Sequence, residues 1–341
     1  MTLRRPRVLI VGGGFGGLYA ARALKHSAVQ VTVVDRTNHH LFQPLLYQAA
    51  TATLAPSDIT APIRWLLRKQ DNADVVMADV ARIDVDRREA IVDGGALTIA
   101  YDYLILAAGA RHSYFGHPEW ETVAPGLKSI GDAIRIRQRV LLAFERADKL
   151  ASDAERERQL TFVIVGGGPT GVEMAGMLPA LTRHALPDDF RHIDTRRARV
   201  ILLEGGPQLL PAYPDDLAHE ARQALEALGV DVRTDTRVTH VARGVVCAGD
   251  ERIEAATIIW AAGNEASPLG RSLGVPVDRA GRVIVNPDLS IPGHPEVFVG
   301  GDLAAMTSHG TPVPGVAPAA IQSGPAAAAN IRRLTAGVLT R

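Results

Sequence analysis

A glycine pattern, G-x-G-x-x-G, occurs twice in this chain and limits what it can fold into more than any other feature. The first copy places Gly12, Gly14 and Gly17 after the apolar run 8–11, and a second apolar run ends at Asp35. The short run predicts a buried parallel strand, and the glycines permit a tight turn, a close approach to a pyrophosphate and contact between helix and strand. The helix N-terminus would hold the pyrophosphate, and the Asp35 carboxylate a ribose hydroxyl. This segment therefore predicts a dinucleotide site.

The second copy has the same spacing and the same surroundings. Its glycines are Gly166, Gly168 and Gly171. They follow the predicted strand 161–165, and the next predicted strand, 199–203, ends at Glu204. A repeat of the whole pattern within one chain is far more specific than a single match, and it predicts two dinucleotide sites.

Glu204 also predicts which nicotinamide nucleotide binds at the second site. A carboxylate that pairs with the 2′-hydroxyl of the ribose repels a 2′-phosphate. The residues that follow, 205–207, offer no arginine to receive such a phosphate. We therefore expect NADH to be preferred over NADPH.

Two further apolar runs, 101–109 and 257–263, end in small residues. Each predicts a buried strand, and their last residues, Gly109 and Gly263, would let a bound cofactor approach the backbone. Their similarity extends the internal repeat to the strand that closes each half.

The C-terminal part supplies a third set of candidate residues. The run 297–302 predicts the last strand, which ends at Gly301 and Asp302. Residues 314–320 then lead into a helix that carries Gln322. Backbone N–H groups at the start of this helix would stabilise negative charge on a reduced cofactor.

The stretches between these motifs have weaker signals. Residues 36–51 are too irregular for a strand and too apolar for a solvated loop, so we expect them to pack beside a ligand and to enter a helix capped by Ser57 or Asp58. Their polar side chains either contact that ligand or form ordinary hydrogen bonds near a turn: His39, His40, Gln43 and Gln48. Residues 75–99 alternate and turn at residues 93–94, which predicts an antiparallel meander. Pro325 is expected to kink or end the last helix.

Composition excludes several other classes of protein. The 341 residues are 47% hydrophobic with 32 glycines, which is typical of an α/β protein, and 37 basic residues balance 37 acidic ones. No long basic run suggests nucleic acid as a partner. Cys247 is the single cysteine, so no internal disulfide forms and no cysteine-based metal site is expected. No uninterrupted apolar run reaches the length that spans a bilayer.

Two dinucleotide sites in one chain are expected where electrons pass between two dinucleotides. One would be a tightly held FAD and the other a transient NADH that delivers hydride. We expect an α/β fold of two Rossmann-like domains, with the nicotinamide domain inserted into the FAD domain. The predicted bounds are 1–125 and 266–341 for the FAD domain and 126–265 for the NADH domain, with the polar stretch 151–159 near a boundary.

Beyond the glycine patterns, the chain resembles the type II NADH dehydrogenases, which are flavin-dependent NADH:quinone oxidoreductases with a glutathione-reductase-like fold. The resemblance covers residues 7–333. It rests on the motifs GGGFGG (12–17), HHLFQPLLYQAAT (39–51), APGLKSI (124–130), GGGPTGVEMAG (166–176), GGDLA (300–304) and VAPAAIQ (316–322).

The resemblance implies a role for each candidate residue. Gly12, Gly14, Gly17 and Asp35 would hold the adenosine and pyrophosphate of FAD, and Gly166, Gly168, Gly171 and Glu204 would hold NADH. Asp302 would hold the FAD ribitol. Gln322 would lie at the flavin edge where quinone arrives, and Glu173 at the nicotinamide–flavin junction. The alternative for Glu173 is an acid placed near a helix start by the helix dipole.

The chain departs from the family pattern at two places. Pro318 replaces a glutamine that often stands at the quinone edge, and it supplies neither a side-chain donor nor an N–H group. Family members also continue into a C-terminal region that binds the membrane, whereas this sequence ends at Arg341. We therefore expect a cytoplasmic protein, peripheral on the inner face of the cell membrane if that region belongs to the native protein. A homodimer is a further partner to test.

Two other functions remain open on the sequence alone. One is a soluble NADH-dependent flavin reductase whose acceptor is oxygen, a dye or a small redox protein. The other is a nucleotide-binding interaction protein that keeps its flavin without turnover. Disulfide reductases and sulfide:quinone reductases are disfavoured, because Cys247 has no partner cysteine.

Overall fold

The computed structural model describes residues 4–340. Its α-helices are α1 (Phe15–Ala23), α2 (Leu46–Ala50), α3 (Ile63–Leu67), α4 (Ile130–Lys149), α5 (Asp153–Gln159), α6 (Pro169–Ala180), α7 (Asp215–Ala227) and α8 (Ala317–Thr335). A π-helical turn, Leu181–Ala185, follows α6.

The strands up to the second glycine loop are β1 (Arg7–Val11), β2 (Gln30–Asp35), β3 (His39–Leu41), β4 (Thr60–Pro62), β5 (Ala73–Met77), β6 (Val80–Asp84), β7 (Glu89–Val92), β8 (Leu97–Ala100), β9 (Tyr103–Leu106), β10 (Ala110–His112) and β11 (Thr161–Val165). The later strands are β12 (Arg199–Leu203), β13 (Val230–Arg233), β14 (Val238–Ala242), β15 (Val245–Ala248), β16 (Glu251–Glu254), β17 (Thr257–Trp260), β18 (Asn264–Ala266), β19 (Val283–Ile284), β20 (Ser290–Ile291), β21 (His294–Val299), β22 (Ala304–Ala305), β23 (Thr307–Ser308) and β24 (Thr311–Pro312).

The described chain forms two compact units, each assembled from separate segments. The first contains residues 4–41, 60–111 and 264–340, and the second contains 42–59 and 112–263. These bounds differ from the predicted ones, because residues 114–124 contribute Tyr114, Trp120 and Ala124 to the core of the second unit. Helix α5 also lies inside the second unit, so the polar stretch 151–159 is not a boundary. Which nucleotide each unit binds stays a prediction.

The first unit is built on a six-stranded sheet in the order β20-β21-β9-β1-β2-β5, in which every pair except β20-β21 is parallel. Alternate residues of β1 point to opposite faces. Val8 and Ile10 pack against α1, α3 and α8, whereas Leu9 and Val11 pack against the β6-β7-β8 meander. The carboxyl ends of β1 and β2 thus emerge at one edge of a sheet buried on both faces, as an α/β fold of this type requires.

The second unit repeats this arrangement on a smaller sheet. Its parallel strands have the order β13-β12-β11-β17, and the antiparallel meander β14-β15-β16 covers one face. On the opposite face Phe162 of β11 stacks on Phe144 of α4, with ring centroids 5.5 Å apart. The predicted parallel strands, and the helix that starts at Pro169 directly after the glycine turn, are confirmed.

The segment between the first loop and the meander differs from its prediction. Residues 39–41 form a short strand, β3, that pairs with β4. Ser57 and Asp58 do not cap a helix, because they lie in a 3₁₀ turn where the Asp58 carboxylate accepts from the Ala55 N–H at 2.9 Å. This local hydrogen bond competes with helix capping, and the next helix begins only at Ile63.

Three further details depart from the sequence prediction. The meander is confirmed, with its turn at residues 93–95, but residues 75–77 belong to β5 of the parallel sheet. Strand β21 is not the last strand, since short strands follow it. Pro325 does not end α8, which continues to Thr335 because its packing against α1 outweighs the hydrogen bond lost at one proline.

Within residues 4–340 no helix combines the length and the apolar character needed to cross a membrane.

Candidate functional site

The first glycine turn has little room for any other residue. Gly12 has φ +103°, and its N–H donates to the Val34 carbonyl at 2.8 Å. A Cβ atom on Gly12 would lie 2.3 Å from the Ala107 oxygen, and one on Gly17 would lie 1.8 Å from the Gly12 oxygen. Gly14, by contrast, has no atom within 4 Å of such a Cβ, so it borders open space at the start of α1. The turn thus leaves a free path to the helix N–H groups, as anion binding there requires.

Asp35 is oriented by this loop. Its Oδ2 accepts from the Gly13 N–H at 2.6 Å, and its Oδ1 accepts from the N–H and the hydroxyl of Thr37, both at 2.7 Å. A carboxylate has about four acceptor positions, so these contacts still leave acceptor capacity for a ribose hydroxyl. Gly13 is not one of the three glycines of the G-x-G-x-x-G pattern, so the pattern does not predict that its N–H orients Asp35.

Gly301 and Asp302 lie after β21, next to the start of α8. Gly301 has φ +65° and its N–H donates to the Ser323 hydroxyl at 3.0 Å. The half-buried Asp302 has its Oδ1 3.4 Å from where a Cβ of Gly315 would stand. Gly109, which follows β9, has φ +66° and open space on its Cβ side. The structure therefore places these predicted residues at or just beyond the carboxyl ends of β9 and β21.

Helix α8 approaches the same loop through a close contact between backbones. A Cβ atom on Gly324 would lie only 2.1 Å from the Gly16 oxygen, and one on Gly16 would lie 3.7 Å from the Ala320 oxygen. Ala320 also stands 3.4 Å from the Cβ position of Gly301. Helix α8 thus connects the first glycine loop with the end of β21, and Gln322 is exposed on this helix.

His40 is a further residue at the first loop. Its Nδ1 lies 2.9 Å from the Gly13 carbonyl oxygen, and its ring meets the Phe15 ring edge to face at 5.1 Å. Burial lowers the pKa of His40, which favours the neutral ring. The sequence drew attention to the polar segment 36–51, but no spacing rule indicates which of its histidines faces the loop.

The second glycine turn reproduces the first. Gly166 has φ +110° and its N–H donates to the Leu203 carbonyl at 2.7 Å. A Cβ on Gly166 would lie 2.6 Å from the Ala262 nitrogen, and one on Gly171 would lie 1.8 Å from the Gly166 oxygen. Gly168 again borders open space at the start of α6.

Glu204 takes the place that Asp35 has in the first unit. Its Oε2 accepts from the Gly167 N–H at 2.6 Å, and its Oε1 accepts from the Gly206 N–H at 2.6 Å. Both carboxylate oxygens are therefore anchored to backbone amides, which holds negative charge at the end of β12.

Gly263 follows β17 with φ +73°, and a Cβ there would lie 2.6 Å from the Phe115 ring. The Trp260 indole beside it donates to the Ser113 carbonyl at 2.9 Å. The predicted small residue thus allows the chain to turn tightly against an aromatic group.

Glu173 lies in the second turn of α6, beyond the first-turn position that the helix dipole favours. More than a third of the residue is exposed, yet loss of water around its carboxyl raises the pKa of Glu173 to about 7. The group therefore exchanges a proton close to neutral pH, which suits a proton relay or a hydrogen-bond donor.

No group of three or more histidine, cysteine or acidic side chains is arranged to hold a metal ion in the part of the chain that the structure describes.

Comparison with known proteins identifies similar chains. The pyridine nucleotide-disulphide oxidoreductase family matches residues 6–324. The type II NADH:quinone oxidoreductase Ndh of Mycobacterium tuberculosis is 47% identical over 98% of this chain and 74% of its own length. NdhA of the same organism is 46% identical over 98% of this chain and 73% of its own length.

A solved structure of NDH2 from Plasmodium falciparum in complex with NADH has the same fold. It superposes with a TM-score of 0.81 at 24% identity, and the match covers 89% of this chain and 65% of that one. This likeness confirms the predicted α/β fold class.

Proposed function

Since this chain belongs to the type II NADH:quinone oxidoreductases, within the pyridine nucleotide-disulphide oxidoreductase family, we propose that it passes a hydride from NADH to FAD and then two electrons to a quinone, without pumping protons. The family resemblance drawn from the sequence motifs is confirmed by these relatives.

One observation carries the proposal. In each unit, the second residue of the glycine turn donates its N–H to the acid at the end of the next strand. The two hydrogen bonds, Gly13 to Asp35 and Gly167 to Glu204, both measure 2.6 Å. Among the three pattern glycines of each turn, the one that borders open space is the one at the helix start, Gly14 or Gly168. A chain with two such cradles suits a reaction between two dinucleotides.

The first unit fits FAD. FAD, when bound, supplies a ring system that accepts a hydride and releases electrons. The N–H groups at the start of α1 would hold the pyrophosphate, and Asp35 would hold the adenosine ribose. Asp302 would hold the ribitol. Gly109 and Gly301 would leave room for the cofactor beside the backbone.

The second unit fits NADH as substrate. The N–H groups beside Gly168 would hold its pyrophosphate, and Glu204 its adenosine ribose. Because Phe115 fills the Cβ side of Gly263, this glycine would contact the nicotinamide half only through its backbone. Protonated Glu173 would donate to the carboxamide oxygen of the nicotinamide, and ionised Glu173 would lose that contact.

The quinone would arrive beside α8. Gln322 is exposed on this helix and offers both a donor and an acceptor. Pro318, in the first turn of α8, offers neither. Where family members often have two glutamines at the quinone edge, Gln322 alone would make the side-chain contact here. We further propose that the protein acts at the inner face of the cell membrane and that it forms a homodimer.

The test is reduction of the purified holoenzyme by NADH without oxygen, followed by a soluble quinone analogue. We expect the yellow flavin absorbance to bleach with NADH and to return as quinone is consumed, one quinone per NADH. A flavin that stays yellow after NADH is added would exclude NADH dehydrogenase activity. If the bleached flavin were reoxidised by oxygen or a dye but not by quinone, the electron acceptor would not be a quinone. Gly168→Val is the matched variant, which should keep its flavin and lose the bleaching.

A further inference from the structure

An arginine stands beside the acid that selects the nucleotide, although it is distant in sequence. A Cβ on Gly205, the residue after Glu204, would meet the Cα, Cβ and Cγ atoms of Arg237, each at 3.8 Å. Residues 205–207, which follow Glu204 in the sequence, contain no cation. The fold brings the backbone and the first side-chain carbons of Arg237 to this place, from the segment that follows α7 and β13.

The backbone holds Arg237 at this position. The Glu204 N–H donates to the Arg233 carbonyl, the Thr236 N–H donates to the Glu204 carbonyl, and the Asp235 N–H donates to the Gly206 carbonyl, all at 2.8 Å. These three hydrogen bonds pair segment 204–206 with segment 233–236, and Arg237 follows directly. These bonds fix the backbone of Arg237, so that its side chain starts beside Gly205.

Arg237 is also a cation with spare binding capacity. Arg233 is engaged by Asp231 and Glu251, both at 2.7 Å, and Arg222 is engaged by Glu226 at 2.8 Å. Arg237 is exposed, and among residues 4–340 no carboxylate lies within ion-pair distance of it. A guanidinium in this state can bind a phosphate through two parallel hydrogen bonds.

We propose that Arg237 is the second determinant of nucleotide choice, a phosphate-binding group whose use Glu204 prevents. This inference rests on the proposed function, because it assumes that the second unit binds NADH. A ribose 2′-phosphate beside Glu204 meets the carboxylate anchored on Gly167 and Gly206, and repulsion keeps it out. Removing that one charge leaves Arg237 free to hold the phosphate, so Glu204 keeps the preference for NADH in the natural protein, and Arg237 sets how tightly a 2′-phosphate binds once Glu204 is neutral.

The experiment measures binding of ADP-ribose and of 2′-phospho-ADP-ribose to the holoenzyme by titration calorimetry, so that neither flavin reduction nor turnover enters the result. The variants are Glu204→Gln, Arg237→Ala and both together. Glu204→Gln should bind 2′-phospho-ADP-ribose about tenfold or more tightly than the natural protein, the gain expected of one charge-assisted contact freed from repulsion. The double variant should lose most of that gain. Arg243→Ala, which removes a charge from the turn between β14 and β15, is the control and should change neither affinity.

Equal affinity of Glu204→Gln and the double variant for 2′-phospho-ADP-ribose would overturn the role of Arg237, as would a Glu204→Gln variant that gains nothing. If Glu204→Gln fails to fold, Glu204→Ala with and without Arg237→Ala decides: 2′-phospho-ADP-ribose should bind more weakly, relative to ADP-ribose, when Arg237 is also replaced, and an unchanged ratio rejects the inference. A natural protein that binds neither ligand would instead refute the NADH site, and with it both proposals.

Discussion

The two glycine loops share a turn but differ in what surrounds it. In the first unit, α8 crosses α1 so closely that Gly324 meets the backbone of Gly16, and α8 continues to the end of β21. In the second unit the turn at Gly166 is followed by α6, and the acid is anchored on the loop and on Gly206. The first loop is thus enclosed by a second helix of its own unit, which suits a cofactor that stays bound. Among the described residues, no glycine of the second turn or of α6 meets the backbone of another helix in this way, which suits a substrate that comes and goes.

The largest expected effect comes from a side chain placed at the same position in both loops. Alanine at Gly17 or at Gly171 would place a Cβ 1.8 Å from a carbonyl oxygen, and such overpacking costs about 1–3 kcal/mol or more. We expect Gly17→Ala to be purified with little flavin. Gly171→Ala should keep its flavin but show little reduction by NADH. Flavin absorbance and anaerobic bleaching measure the two outcomes.

Gly176→Ala is the control for this pair, because its Cβ would lie 3.6 Å from the Leu225 side chain, an ordinary contact. It should retain flavin and NADH reduction. Loss of flavin from Gly171→Ala, or full function of both loop variants, would remove the distinction between the two loops.

The second prediction exchanges the charge of one acid. Glu204→Arg should raise kcat/KM for NADPH relative to NADH by about tenfold or more, because repulsion of the 2′-phosphate is replaced by a charge-assisted contact. Asp35→Asn, the matched change in the first loop, should leave that ratio unaltered even if it lowers flavin content. An unaltered ratio in Glu204→Arg would show that this acid does not read the ribose.

The third prediction concerns the hold on FAD at β21. Asp302→Ala should weaken FAD retention by about 1.5–3 kcal/mol, the contribution of a hydrogen bond to a charged group, and affect NADH binding less. Flavin released on dialysis measures the first quantity and ADP-ribose titration the second. Asp86→Ala, an exposed acid of the same unit, is the control. A purified Asp302→Ala protein with full flavin after dialysis would mean that Asp302 does not hold the cofactor.

The smallest expected effect concerns Glu173, which lies on the helix that follows the second loop. Because the pKa of Glu173 is raised to about 7, its carboxyl is protonated below that pH and ionised above it. The rate of flavin reduction by NADH should fall as pH rises through about 7, and Glu173→Gln should lose this step. A step that persists in Glu173→Gln would assign the titration to another group. Glu220→Gln on α7 is the control.

Stability should follow the same group with a defined sign. The folded pKa of Glu173 lies above its unfolded value, so the natural protein gains relative stability at low pH and loses it as pH rises through about 7. The Tm of Glu173→Gln should therefore exceed that of the natural protein by more at pH 8 than at pH 5. An equal difference in Tm at pH 5 and pH 8 would show that ionisation of the Glu173 carboxyl does not affect the stability of the protein.

Much of both sites was predictable because it depends on residues close in sequence. The requirement for glycine at residues 12 and 17, the acid at the end of the next strand and Pro169 in the first helical turn all follow from spacing. The N-cap expected at Ser57 and Asp58 was wrong because a short-range hydrogen bond from Ala55 satisfied Asp58 first. Sequence rules for helix caps show which hydrogen bonds a side chain can form. They do not show which of two hydrogen bonds of similar strength it forms.

The sequence alone was enough to predict the two glycine turns and their acids, because both are set by sterics and hydrogen bonds within one strand–helix–strand unit. It was enough to predict the family because that rests on short motifs along the chain. Three other features became visible only in the folded chain: Gly324 packs against Gly16, residues 42–59 belong to the second unit, and Arg237 lies beside Gly205. Those contacts join segments far apart in the chain. Their partners are chosen by the packing of whole helices and sheets, which no spacing between residues records.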